Sequence, residues 1–171
     1  MYFKKEWNET GVPLAYLISF RTYGTWLHGD SKGSTDKNNN IYGDPFYPPD
    51  REWKKLRQGQ LKSAPVNLDK HRRKAVADAI DETCEHRKWH LYAKNVRTNH
   101  VHAVVDIADS SPGSALNSLK AFATRKMRER ELWQSKHSPW ARRGSKKRLW
   151  NEEDVDNAID YVINDQGPNL C

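Results

Sequence analysis

The sequence predicts an α+β domain: an antiparallel sheet with helices on one face and one further helix at the C-terminal end. Three observations carry this. The elements run in the order β-α-β-β-α-β-α. Positions 101, 103, 105 and 107 are all apolar while 100, 102, 104 and 106 are mostly polar, the period-2 pattern of a strand with one core face. The late segment from Asn151 spaces Val155, Ala158, Ile159, Val162 and Ile163 as one helical stripe.

The first strand is read at Leu14–Thr22 (LAYLISFRT), rich in β-branched and aromatic residues. Residues 31–66 carry Gly, Asn, Asp and Pro, including Pro48-Pro49, and read as a long irregular insertion. A helix is expected over about 68–87, capped by Asn67, with Val76, Ala79, Ile80, Thr83 and Cys84 on its inner face. Two strands follow, 89–96 and 100–107, joined by a tight polar turn. Ser111-Pro112 opens the next helix as a cap followed by proline at the first helical position. It is expected to run to about Leu132, with Leu116, Leu119, Phe122 and Ala123 inward and Lys120, Arg125, Lys126, Arg128 and Arg130 mostly outward. A basic segment, 140–147, then leads into a short strand around 148–150. The last helix begins at Asn151 and stops near Gly167-Pro168. This order is that of the ferredoxin-like (RRM-like) split βαβ domain with one added helix, and one such domain is expected over 1–171.

Composition bounds the function. The chain has 171 residues, 29 Lys or Arg against 22 Asp or Glu, a formal charge of +7 and a mean hydropathy of −0.98. Such polarity favours disorder, but 7 Trp, 7 Tyr and 4 Phe supply the rings of a packed core. No apolar run approaches the roughly 20 residues a bilayer span needs, and MYFKKEWNETG holds no apolar signal-peptide core. Two cysteines, Cys84 and Cys171, make neither a disulfide framework nor a zinc cluster. A cytoplasmic location is expected. The charge makes a polyanionic partner, commonly nucleic acid, plausible.

Alternation places His100 and His102 side by side on the face of their strand that is turned from the core, where two imidazoles at i and i+2 can chelate one divalent cation. Two histidines on a solvated sheet face are the plain alternative. Tyr161 lies roughly 130° from the centre of its helix's apolar stripe, so its hydroxyl is directed away from that core face. Asp165, four residues on, shares its side, and Gln166 follows. A free tyrosine phenol, with a pKa of about 10, is a weak nucleophile at neutral pH. Beside a metal-activated electrophile such as a phosphodiester it becomes an effective one.

These features resemble the HUH single-tyrosine transposases, most closely the insertion-sequence 200/605 type and its REP-associated tyrosine transposase relatives. FRTYGTWLHGD (20–30), NHVHAVV (99–105), RGSKKRLW (143–150) and AIDYVINDQG (158–167) carry the resemblance. It implies a DNA strand transferase that cuts and rejoins single-stranded DNA, with a hairpin or repeat nearby and a homodimer as one possible assembly. His100 and His102 would hold Mg²⁺ or Mn²⁺, with Asp165 or Gln166 as third ligand, and Tyr161 would form a 5′-phosphotyrosine linkage. Arg142, Arg143, Lys146, Lys147 and Arg148, with Lys120 and Arg125 on the preceding helix, would contact DNA phosphates. Tyr23, Trp26 and His28 could stack on an unpaired base. The competing readings are a nucleic-acid-binding module without chemistry and a metal-dependent phosphodiesterase that does not use the tyrosine.

Overall fold

The computed structural model describes residues 10–27, 48–167 and 170. Within them the elements are β1 (Ala15–Thr22), α1 (Arg51–Gly59), α2 (Lys70–Arg87), β2 (His90–Val96), β3 (His100–Asp106), α3 (Pro112–Glu129), β4 (Trp140–Leu149) and α4 (Glu152–Asn164). The sheet order is β2-β3-β1-β4, every neighbour antiparallel. β3 lies between β1 and β2, the two strands joined through α2. β1 in turn lies between β3 and β4, joined through α3. This double split βαβ is the expected ferredoxin-like α+β fold.

Two cores sandwich the sheet. On one face Ile18, Phe20, Val101 and Val105 pack against Val76, Ala79, Ile80 and Cys84 of α2 and Leu116, Leu119, Ala123 and Met127 of α3. On the other, Ala15, Ala93, Val104 and Leu149 meet Val155, Ala158 and Val162 of α4. Each large apolar side chain so buried contributes about 1.5–3 kcal/mol. The tyrosine-bearing helix thus covers the same face that displays the histidines. Its start is fixed locally, because the Asn151 side chain accepts from Asp154 N. Ser111 caps α3 in the same manner, with Pro112 at its first position.

The structure departs from the sequence reading at several points. Asp69, not Asn67, caps α2. The stretch 51–59 within the expected irregular insertion is a helix, α1, started by Asp50 accepting from Trp53 N. No residue of α1 is buried, and its apolar side chains are only Trp53 and Leu56, too few for a stripe that stands out in the sequence. Residues 31–47 of that insertion lie outside the described residues. The basic segment is itself strand, since β4 runs from Trp140, not from about 148. It is an edge strand, where charged side chains are at home and ward off pairing with another chain. Ile163 is exposed, because the side of α4 on the sheet is that of Val155, Ala158 and Val162, with Ile159 partly buried beside them. On α3, Lys120, expected outward, is buried, and Phe122, expected inward, is half-buried.

Candidate active site

The site is built on the central strands. Cross-strand register puts Ser19 of β1 opposite His102, Arg21 opposite His100, and Asn95 of β2 opposite His102. Directly paired residues share a face, so these side chains surround the imidazoles. Their rings stand 4.9 Å apart, centroid to centroid, at 71°. α4 then lays the Tyr161 ring 5.5 Å from that of His102, at 72°. Nucleophile candidate and histidine pair therefore meet within one chain. Tyr161 is 39% exposed, open to a ligand arriving from solvent.

Each imidazole is oriented by a neighbour that the sequence reading did not single out. Asn99 Oδ1 lies 2.7 Å from His100 Nδ1. A carbonyl oxygen only accepts, so Nδ1 carries the proton and Nε2 of the neutral ring keeps its lone pair. Ser19 Oγ lies 2.6 Å from His102 Nδ1, which, with the serine as acceptor, likewise leaves Nε2 as a donor toward a metal. Burial, the nearby His100 and Arg21 push the His102 pKa down from 6.5 to about 4, against an opposing hydrogen bond from Gln166. His102 is thus neutral at physiological pH, the state a ligand requires.

Of the two candidate third ligands, the structure brings one to the pair. Gln166 Oε1 is 3.3 Å from His100 Nε2. Asp165 is the exposed C-cap of α4, its backbone N–H bonded to Tyr161 O. With Nδ1 protonated, the Nε2 lone pair and the amide oxygen are two acceptors facing each other, a donor set that would suit a cation. Among the described residues no three His, Cys, Asp or Glu cluster for a metal; the donor set here is two imidazoles and an amide.

The basic residues separate. On β4, Lys147 pairs with Leu17 and shares the histidine face, while Lys146 and Arg148 pair with Ile18 and Tyr16 and face the α2–α3 layer. Arg142 and Arg143 sit where the β1–β4 register shifts between Phe20 and Thr22. Arg142 also lines a groove of about 390 Å³ with Tyr23, Asn117, His137 and Trp140. Lys120 is a correction: it is 8% exposed, not outward. Its Nζ donates to Ala141 O at 2.8 Å and Arg143 O at 3.0 Å, which pins β4. Arg125 is on the helical layer beyond the opposite face of the sheet, ion-paired with Glu129 at 3.3 Å and laid over Phe122. Trp26 is half-buried with the Arg21 guanidinium 3.2 Å from its ring centroid, and Tyr23 Oη accepts from Lys62 N. His28 lies outside the described residues.

The split βαβ domain thus sets a histidine pair against a helix-borne tyrosine. The family model described as Transposase IS200 like matches residues 62–162, more than half of the chain. The chain belongs to that family. Among solved structures, that of a REP-associated tyrosine transposase bound to a REP hairpin is similar, at 12% identity and a TM-score of 0.49, over 95% of this chain and 70% of that one. No curated protein matches. No helix among the described residues is long and apolar enough to cross a membrane.

Proposed function

We propose that this transposase-family chain cuts and rejoins single-stranded DNA through a 5′-phosphotyrosine at Tyr161. The observation that carries the reading is the convergence of Tyr161, His102, His100 and Gln166 within one chain. Tyr161 Oη attacks phosphorus and loses its proton to solvent. The Oη–P bond forms, the P–O3′ bond breaks, and the leaving oxygen takes a proton to become a 3′-hydroxyl. Attack by the 3′-hydroxyl of a second strand reverses these bonds, so joining needs no nucleotide cofactor. His100 and His102 Nε2 with Gln166 Oε1 are the groups that would hold Mg²⁺ or Mn²⁺, with Asp165 left as the helix cap. When bound, the cation supplies polarisation of a phosphate oxygen and stabilises its developing charge. The chain's own residues hold His102 neutral, aim both imidazoles and keep the phenol beside them. Lys147, on the same face, is positioned for a backbone phosphate.

The DNA is proposed to carry a hairpin or repeat near the cut. Because Tyr161 already reaches the histidines of its own chain, a dimer is not required to complete the site. The test is incubation of the protein with Mn²⁺ and labelled single-stranded DNA bearing the cognate site. A denaturation-resistant protein–DNA species is expected, and is expected to vanish in His100→Ala. Binding without cleavage would support a non-catalytic module instead.

A further inference from the structure

Asn95 is a buried polar side chain beside the histidine pair with no part in the proposed chemistry. It is 6% exposed on β2, opposite His102. Its Nδ2 donates to Val162 O at 2.9 Å. Since a carbonyl can only accept, the amide nitrogen must face α4, and Oδ1 must point the other way. That Oδ1 is buried without a hydrogen-bond partner. A stranded buried oxygen is destabilising, so packing alone does not account for asparagine at this position.

Val162 O holds a particular place in the helix ladder. The last helical bond of α4 runs from Asp165 N to Tyr161 O. The next acceptor in the i→i−4 series is Val162 O, and its donor in a continuing helix would be Gln166 N–H. Asn95 donates to that carbonyl from the sheet, while the backbone bonds of the turn give Gln166 N–H no bond to it. The helix ends at Asn164, and Gly167 adopts a φ of 75° that turns the chain. Gln166 is thereby released from helical geometry, and its side chain reaches His100.

The geometry points to Asn95 as a positioning residue: by holding Val162 O toward the sheet it stops the tyrosine helix at Asn164, two residues before Gln166, and directs that amide onto the histidine pair. This rests on the reading of Tyr161 and the pair as the reacting site. Asn95 touches no reacting atom and acts through Gln166 and the seat of α4.

The test uses Asn95→Leu, which removes both the donor and the stranded oxygen, with Asn95→Val as a second variant suited to a strand. One arm follows backbone shifts of residues 164–167 and amide exchange of Gln166 by NMR in the metal-free chain. Helical shifts are expected to extend to Gln166, its amide exchanging at least tenfold more slowly. The second arm measures covalent adduct formation with Mn²⁺. A rate lower by about 10–100-fold is expected, with the DNA concentration for half-maximal rate unchanged and more Mn²⁺ required. Wild-type shifts and exchange at Gln166 in the folded variants, with full activity, would overturn the proposal. A wild-type chain that forms no Tyr161 adduct would overturn the functional reading instead, and the NMR arm alone would then decide the role of Asn95.

Discussion

Ser19 Oγ sits 2.6 Å from His102 Nδ1, a contact between neighbouring strands that sets which nitrogen of the imidazole faces the site. Partners of this kind fix ring orientation and raise ligand basicity. Ser19→Ala is therefore expected to weaken Mn²⁺ binding by about 10–100-fold while leaving the fold intact. Calorimetric titration of Mn²⁺ checks this, and unchanged affinity would count against an orienting role.

His102 gives a pH signature. Burial above all, then repulsion from His100 and Arg21, lowers its pKa from 6.5 to about 4. Between those values the unfolded chain binds a proton that the folded chain refuses. The stability contributed by neutral His102 is complete above about pH 6.5 and is lost as pH falls toward 4. An NMR titration of the ring should show a midpoint near 4; a midpoint near 6.5 would mean that the ring is not desolvated by α4.

Lysines at two positions should behave oppositely. Lys147→Ala, on the histidine face, is expected to reduce DNA affinity and lower the salt-dependence slope by about 1. Lys120→Met removes a buried donor whose pKa is lowered by burial and by Lys146 and which holds two carbonyls of β4. It should cost about 1–3 kcal/mol of stability and leave the salt slope unchanged. DNA titrations at several salt concentrations, with thermal melts of both variants, separate the two.

Gly144 lies where β4 meets β1. A Cβ there would come 2.7 Å from Ser19 O and 2.9 Å from Leu116 Cδ1. Leu116 can shift, but a strand carbonyl cannot easily do so. Gly144→Ala is expected to destabilise by about 1–3 kcal/mol and, through Ser19, to weaken Mn²⁺ binding as well. A melt and a metal titration on the same variant test both.

What was legible in the sequence followed from local periodicity. The alternation of β3 displayed both histidines, the stripe of α2 gave its buried face, and Ser111-Pro112 and Asn151 marked two helix starts. The same projection put Tyr161 off its stripe, yet included Ile163, which the sheet does not reach. It left Asp165 and Gln166 open, because α4 ends at Asn164, just before them, and projection assumes that a helix continues. α1 has only Trp53 and Leu56 to announce it and buries neither, and the charges of β4 obscured an edge strand. Ser19, Arg21 and Asn95 join the site through cross-strand register. That pairing depends on sheet order, which no single segment encodes. Asn99 alone had a local signal, standing beside His100 in the NHVH run.

The central claim is that Tyr161 is the nucleophile. Its most direct test is peptide mapping by mass spectrometry of the protein–DNA adduct formed with Mn²⁺ and nuclease-trimmed. One nucleotide-bearing peptide, spanning residues 152–166 and modified at Tyr161, is expected, with no adduct in Tyr161→Phe. Cleavage that survives in Tyr161→Phe, or a modification on another residue, would contradict it and favour a phosphodiesterase that uses the histidines alone.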